Sequence, residues 1–181
     1  MSLNNKMLTI NKSDFQILFK NCKRKNVIFG ITLDGLISRS YWLVRKELPE
    51  LITGSQFEEA LEALCLDLGY RVKADQIRVE EALPVLLYIL DQLTLISELE
   101  QNYLVSPPDN DLLNAGIKDL DELGALNVID SLAGGDLLKW EGIKALPYNI
   151  VFDKLRKNTL EAAIQKRYAK IIKDKSKSKT S

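Results

Sequence analysis

The feature that most constrains the fold is an apolar run in the middle of the chain. Ala82 to Leu90 contains no charged side chain, and leucine and isoleucine continue beyond it at helical spacing as far as Leu99. Large apolar side chains point in every direction around this segment, which predicts a buried helix over about 80–100. The uncharged run is shorter than the roughly 18 residues that a membrane span requires. We therefore interpret it as a central core helix, and we expect no membrane partner.

The neighbouring segments predict a mainly α protein, a helical domain built around that core helix. Pro84 lies inside the apolar run and predicts a helix boundary or a kink near Leu83, since proline cannot donate a backbone hydrogen bond. The clearest flanking helix begins after Gly54-Ser55 and ends at Gly69. Its apolar residues recur at helical spacing and predict one buried face. They are Phe57, Leu61, Leu64 and Leu68.

Residues 27–44 are ambiguous between a hairpin and a helix. Asp34-Gly35 fits the two-residue turn of a small N-terminal β-hairpin. Apolar residues nevertheless recur at helical spacing across the second half of the segment. We favour a helix over about 36–47 that Pro49 ends, because the residue before a proline is disfavoured in helical conformation. Two aromatic residues on that helix, Tyr41 and Trp42, are expected in the core, with an interface as the alternative.

Prolines and turn-forming residues divide the chain into regions. Residues 106–111, with two prolines and three Asp or Asn residues, predict a linker. An N-terminal helical domain, 1–105, precedes it, and a C-terminal set of short helices with a basic amphipathic last helix, 112–173, follows it. Residues 174–181 predict a basic flexible tail, because lysine and serine bury little apolar surface.

The formal net charge is zero, but the charges are segregated along the chain. Residues 1–46 contain nine basic and two acidic residues, a net charge of +7. Residues 47–149 contain six basic and 20 acidic residues, a net charge of −14, and residues 150–181 contain ten and three, a net charge of +7. The basic ends therefore suit three acidic surfaces: the protein's own middle region, a protein partner or a nucleic acid.

The C-terminal helix is the candidate partner-binding surface. Its spacing predicts an amphipathic helix, and Asn158 fits the cap of a restarted helix. An apolar stripe of this length needs a cover, either from the protein's own body or from another chain. The apolar candidates are Leu160, Ile164, Tyr168, Ile171 and Ile172, and the basic candidates are Lys166, Arg167, Lys170 and Lys173. A second basic cluster, which is a candidate patch for phosphate or an acidic partner, consists of Lys23, Arg24 and Lys25.

Several kinds of catalytic chemistry are absent from the sequence. The chain contains no histidine, which removes the usual general base and the commonest metal ligand. Cys22 and Cys65 form no CxxC pair and predict free thiols in a reducing compartment, so we expect a cytoplasmic location. Asp119 and Asp121 begin only an incomplete calcium loop, and the acidic residues over 109–141 need a pocket to act as acid and base. We therefore predict no enzymatic activity, no catalytic residue, no metal and no cofactor.

The C-terminal third resembles small helical components of phage tails and related contractile particles. The residues concerned are the run AGGDLLKW over 133–140, Leu146-Pro147-Tyr148 and the basic amphipathic end. This resemblance implies that the partners are other subunits of a phage-tail-like or similar multi-subunit assembly. The apolar helical core, the absence of a catalytic set and the charged ends predict a helical protein-protein interaction module that acts as an adaptor, an assembly factor or a structural subunit. The alternative is a nucleic-acid-associated protein that binds phosphates through the basic C-terminal helix and tail.

Overall fold

The computed structural model describes residues 22–73, 78–105 and 110–178, and it confirms the mainly α fold class. A two-stranded antiparallel sheet precedes the helices. The strands are β1 (Val27–Ile28) and β2 (Ile31–Thr32), and the helices are α1 (Leu48–Thr53), α2 (Phe57–Asp67), α3 (Val79–Tyr103), α4 (Asn110–Asn114), α5 (Ala125–Ala133), α6 (Trp140–Lys144) and α7 (Tyr148–Ser178). The chain forms 3₁₀ helices at Leu36–Ser38, Ile117–Leu123 and Leu137–Lys139, and a π-helix at Leu43–Glu47.

The central helix α3 occupies nearly the predicted range and forms the middle of the core. The predicted boundary near Leu83 is wrong, because α3 begins at Val79 and continues through Pro84. Pro84 cannot donate the helical hydrogen bond to the Glu80 carbonyl, but buried side chains before and after it, such as Ala82 and Val85, pack this part of the helix into the core. The backbone N–H of Lys25 donates to the Pro84 carbonyl at 3.2 Å. Fully buried residues of α3 include Ala82, Val85, Leu87, Ile89 and Ile96.

Among the described residues, α3 is also the one helix that is long and apolar enough to cross a membrane. Buried core helices have the same length and composition, so this finding is a weak indication. In the structure, α3 packs its most apolar residues against the other helices, and 39 % of its most apolar window is buried inside the protein. These contacts agree with the interpretation of α3 as a core helix.

Residues 27–44 contain a hairpin, but its turn differs from the predicted one. Ile28 pairs with Ile31, and the turn between them is Phe29-Gly30, with φ angles of 51° and 75°. The predicted turn at Asp34-Gly35 is wrong, since Gly35 has a φ of −51°. Leu33 and Leu36 are buried on either side of this dipeptide, which therefore leads into a 3₁₀ turn that begins at a buried residue.

A helix over 41–53 follows, and Pro49 does not end it as predicted. In the π-helical segment the Leu48 N–H donates to the Leu43 carbonyl, five residues earlier. This wider turn immediately precedes the proline and changes the hydrogen-bond pattern where proline lacks a donor. The helix then continues as α1 to Thr53. Tyr41 is buried, as predicted, and Trp42 is half-buried beneath the Lys144 ammonium.

The regions on both sides of the predicted linker share one apolar core. A single cluster extends from Ile28 to Val151 and includes buried residues of α5 and α7. The segment 110–123 contributes no buried side chain to it. Part of the linker, 106–109, lies outside the described residues, and the division into two domains stays a prediction.

The last helix, α7, is continuous over 31 residues. The predicted restart at Asn158 is wrong: Thr159 donates its hydroxyl to the Leu155 carbonyl at 3.0 Å, as threonine does inside a helix. The predicted flexible tail from residue 174 is helical as far as Ser178, beyond which the residues are not described. Lysine is the commonest residue over 160–178, and its high helix propensity favours a continuous helix.

Candidate protein-binding helix

Polar and aromatic side chains hold the first turns of α7 in a cluster that we call the clamp. The Tyr148 hydroxyl donates to Glu100 Oε1 at 2.8 Å, and Arg45 Nε lies 3.2 Å from the same oxygen. The Tyr148 ring stacks on the rings of Tyr41 and Phe152, with centroid distances of 6.2 and 6.0 Å. These five residues belong to the 41–53 helix, α3 and α7. The clamp therefore joins the start of α7 to two helices of the core.

The clamp also changes the acid–base behaviour of its tyrosines. Burial raises the pKa of Tyr41 from its ordinary value of 10.0 to about 12, against the opposing effect of the Arg45 charge. Burial raises the pKa of Tyr148 still further, and the negative charge of Glu100 and the hydrogen bond to it act in the same direction. Both hydroxyls consequently keep their protons at neutral pH, so that Tyr148 remains a donor to Glu100.

Two backbone hydrogen bonds also connect the start of α7 to residues 39 and 41. The Tyr148 N–H donates to the Arg39 carbonyl, and the Tyr41 N–H donates to the Leu146 carbonyl, both at 2.8 Å. Ser40 and Pro147 form an antiparallel bridge between these two bonds. Main-chain and side-chain contacts thus fix where α7 leaves the body.

None of the residues that the structure describes covers the second half of α7. Every described side chain over 160–176 is exposed. The five predicted apolar residues, which we call the stripe, are between 47 and 60 % exposed. At 1.5 Å per residue, 160–178 is ~28 Å long. The structure therefore places the stripe in solvent, and the acidic middle region of the same molecule does not cover it. The stripe consists of Leu160, Ile164, Tyr168, Ile171 and Ile172.

The stripe faces away from the side of α7 that packs on the body. Successive residues are about 100° apart around a helix axis. On that geometry the packed residues Tyr148, Val151, Phe152 and Leu155 centre on one direction, and the stripe centres about 180° away from it. The predicted basic residues Lys166, Lys170 and Lys173 lie opposite the stripe, whereas Arg167 lies at its edge and donates from Nε to the Ala163 carbonyl at 3.3 Å. The exposed half of α7 thus separates its apolar and basic residues onto opposite faces.

The second predicted basic cluster lies at the other end of the chain. Lys23, Arg24 and Lys25 are exposed, as a binding patch requires. Arg24, however, forms an ion pair with Asp91 of α3, with Nε 2.8 Å from Oδ2. The cluster is therefore fastened to the core helix through one of its three cations, and its role as a phosphate or acidic-partner patch stays a prediction.

The acidic residues over 109–141, which would need a pocket to act as acid and base, lie mostly at exposed positions where the structure describes them. The described carboxylates over 110–141 are exposed except for Asp136, which accepts a hydrogen bond from the Leu138 N–H at 3.1 Å at a helix start. An open cleft of about 520 Å³ is lined by acidic residues from another part of the chain, Glu47, Glu59 and Glu62. Within the described ranges, no group of three or more Cys, Asp or Glu side chains is placed to hold a metal ion. The non-enzymatic role stays a prediction.

The clamp was not predicted from the sequence, although one signal points to it. Glu100 is a charged residue near the end of an apolar core helix, and a carboxylate in such a place needs a hydrogen-bond partner. The partner is Tyr148, 48 residues away along the chain. No local spacing identifies a pair that is so far apart.

No protein-family model, curated protein or solved structure matches this chain. The resemblance of its C-terminal third to phage-tail components, and the partners which that resemblance implies, therefore stay predictions. Function has to be inferred from the geometry of α7.

Proposed function

We propose that this protein is a non-enzymatic, cytoplasmic interaction module that binds another protein through the stripe of α7. The supporting observation is a helix that is firmly held at its start and carries five large, half-exposed apolar side chains beyond it. A continuous apolar surface of this kind on a soluble protein is typical of a contact site. The module acts as an adaptor, an assembly factor or a subunit of a larger particle.

Burial of the stripe would contribute substantially to such a contact. A large apolar side chain contributes about 1.5–3 kcal/mol when it is fully buried. Since the five residues are already about half-buried, a partner that covers them would gain roughly 4–7 kcal/mol. Association itself has a cost of comparable size, so the stripe alone supports a weak contact. Arg167, at the edge of the stripe, is the one predicted basic residue that lies close enough to the stripe to contact an acidic group of the partner.

The test compares two variants that add the same charges to different faces of α7. Ile164→Asp with Ile171→Asp places two carboxylates in the stripe, whereas Ala162→Asp with Ala169→Asp places them on the side opposite the stripe. Each tagged protein is recovered from its native cells at physiological salt, and the bound proteins are quantified by mass spectrometry. We expect one protein to be enriched with the wild type and the control variant, and to be lost with the stripe variant. Equal recovery with all three proteins would contradict the proposal.

A second candidate function rests on the opposite face of the same helix. Lys166, Lys170 and Lys173 are exposed along one line, as phosphate binding requires. This candidate predicts DNA or RNA binding that weakens steeply with salt, because each phosphate contact releases counterions. A fluorescence-anisotropy titration at low salt tests it, with the triple Lys→Ala variant expected to lose binding and the stripe variant to keep it. Absence of binding by the wild type would remove this function.

A further inference from the structure

The uncovered face of α7 has a symmetric order of residues about Tyr168. Ile164 and Ile172 lie four residues before and after it, and Glu161 and Lys175 lie seven residues before and after it. All five side chains are exposed. At about 100° per residue, the other four lie within about 40° of Tyr168 around the helix axis. The apolar centre of this face is therefore followed by an ammonium group in one direction along the helix and by a carboxylate in the other.

We infer that two copies of this chain form a dimer in which their α7 helices pair antiparallel, with a two-fold axis at Tyr168. This inference rests on the proposed function, because it names the molecule that covers the stripe. In such a pair, a residue that precedes Tyr168 faces the residue that follows it by the same number of positions in the other copy. Ile164 thus faces Ile172, and the two Tyr168 rings meet on the axis. At both ends of the contact, Glu161 of one copy faces Lys175 of the other.

The charges on the contact face select this orientation. In a parallel pair Glu161 would face Glu161 and Lys175 would face Lys175, and like charges so placed disfavour the contact. At the edge, each Arg167 lies near both Arg167 and Asp174 of the other copy, so the edge adds little to either side of the balance. The remaining cations lie on the opposite face of the helix and outside the contact. They are Lys166, Lys170 and Lys173.

The folded bodies leave room for an antiparallel pair. Leu155, the last residue of α7 that packs on its own body, lies 13 residues before Tyr168. The two-fold axis therefore places it level with residue 181 of the other copy, beyond Ser178, the last described residue of α7. Because the stripe faces about 180° away from the packed side, the second helix approaches from the side that is free of the body. The two bodies then lie at opposite ends of the helix pair.

The same pairing limits both the size and the strength of the assembly. A two-fold contact uses the same surface on both molecules, so it is complete with two copies. Across the pair, Leu160 faces Ser176 and Ile171 faces Gln165, so these two stripe residues lack an apolar counterpart directly opposite. We therefore expect a weak dimer that forms as the concentration rises and does not grow further.

The first test measures the dimerisation constant of purified protein by sedimentation equilibrium. Glu161→Lys and Lys175→Glu each turn both interhelical pairs into like charges, so we expect each variant alone to dimerise about tenfold more weakly than the wild type. In an equimolar mixture of the two variants both pairs again join opposite charges, and the affinity should return to that of the wild type. The matched control Lys170→Glu makes the same charge change on the opposite face and should not weaken the dimer. Stronger dimerisation by Lys175→Glu would show that only net charge matters and would overturn the pairing.

The second test determines the register by disulfide formation in a Cys22→Ser background, in which the remaining Cys65 is buried. Tyr168→Cys places two thiols on the two-fold axis and should give a cross-linked dimer under mild oxidation. Ile164→Cys alone and Ile172→Cys alone should not, because each lies eight residues, ~12 Å, from the same residue of the other copy. A disulfide needs Cα atoms about 4.4–6.8 Å apart. An equimolar mixture of these two variants should again cross-link. The substituted positions are exposed, and circular dichroism checks that the variants remain helical.

The other outcomes are distinguishable. Cross-linking of Ile164→Cys alone as readily as Tyr168→Cys would show a parallel pair and would overturn the proposed arrangement. Masses above that of a dimer would overturn the two-fold contact. A wild type that is monomeric at every concentration would overturn self-association altogether. The proposed function would then still be decided by recovery of a different protein with the stripe and control variants, so failure of the one is separate from failure of the other.

Discussion

The two halves of α7 resemble each other in sequence pattern and differ in their surroundings. Each half carries an aromatic residue and aliphatic residues at helical spacing. Tyr148 is 2 % exposed and contacts α3 and the 41–53 helix, whereas Tyr168 is 60 % exposed. Helical spacing therefore shows that a face is apolar, but only the tertiary contacts show whether that face belongs to the fold or to a partner.

The largest expected effect on stability is the difference between alanine substitutions at Tyr148 and at Tyr168. Tyr148→Ala removes two ring contacts and the hydrogen bond to Glu100, and we expect it to lower the free energy of unfolding by about 3–5 kcal/mol. The matched control Tyr168→Ala is expected to change it by less than about 0.5 kcal/mol, because that side chain has little contact to lose. Urea unfolding monitored by circular dichroism measures both. Similar losses of unfolding free energy in the two variants would mean that both halves of α7 contribute to the fold.

Removal of the Tyr148 hydroxyl alone is expected to have a smaller effect on the free energy of unfolding, and this effect depends on pH. Tyr148→Phe is expected to lower the free energy of unfolding by about 0.5–1.5 kcal/mol near neutral pH, since Glu100 loses one of its donors.

The free energy of unfolding of Tyr148→Phe is also expected to fall less steeply at alkaline pH than that of the wild type. Burial raises the pKa of the clamp tyrosines above the ordinary value of 10.0, to about 12 for Tyr41. Between these pH values the unfolded chain binds fewer protons than the folded protein, so stability falls as pH rises. The contribution is present in full below pH 10 and is lost as pH rises toward 12. Urea unfolding across this window should show a shallower fall for Tyr148→Phe than for the wild type and for the control Tyr168→Phe. Identical slopes in all three would show that burial of Tyr148 does not shift its titration.

A smaller effect on stability is expected from removing the whole exposed half. Deletion of 159–181 leaves the clamp intact. It removes the half-buried Thr159 and, over 160–176, side chains that are all exposed. We expect the midpoint of thermal unfolding to change little, with a difference in free energy below about 1 kcal/mol, and the partner contact to be lost. A large drop in melting temperature would instead place this segment in the core.

The smallest expected effect concerns the ion pair within the exposed half. Lys157 Nζ lies 3.5 Å from Glu161 Oε1, one helical turn away, and both side chains are mostly exposed. Glu161→Gln should change the free energy of unfolding by less than about 0.5 kcal/mol, as exposed pairs of this kind contribute little. Chemical unfolding at low and high salt measures the change. A larger loss would show that the exposed half does contribute to the stability of the fold.

Helices bounded by clear turns were predicted well from the sequence. The helical spacing of apolar residues in α2 and the apolar run in α3 both predicted helices close to the observed ranges. Besides the restart at Asn158 and the tail from residue 174, which are helical, the errors occur at Asp34-Gly35, Pro49 and Pro84, where a strong local signal predicted a turn or an end. Burial of neighbouring side chains outweighs the local preference at these positions, and a π-helical turn accommodates Pro49. Such outcomes depend on residues that are distant along the chain.

The candidate site was predicted in part. The stripe residues and their common face follow from the spacing along α7 alone. The clamp requires Tyr41, Glu100 and Tyr148 to meet, and they come from three segments with no shared local pattern. The direction of the stripe, opposite the packed face, also needed the structure, because spacing does not identify which side of a helix meets the body.

The uncovered length of α7 makes this helix a lever arm. From Leu155, the last residue packed against the core, to Ser178 it measures ~35 Å. A tilt of about 10° at the clamp would displace the far end by ~6 Å, about one helical turn. A force applied at that end would be transmitted along the helix to the clamp, where Tyr148 holds it. Substitutions in the clamp that preserve the fold would therefore redirect the reach of the helix without altering the surface that it presents.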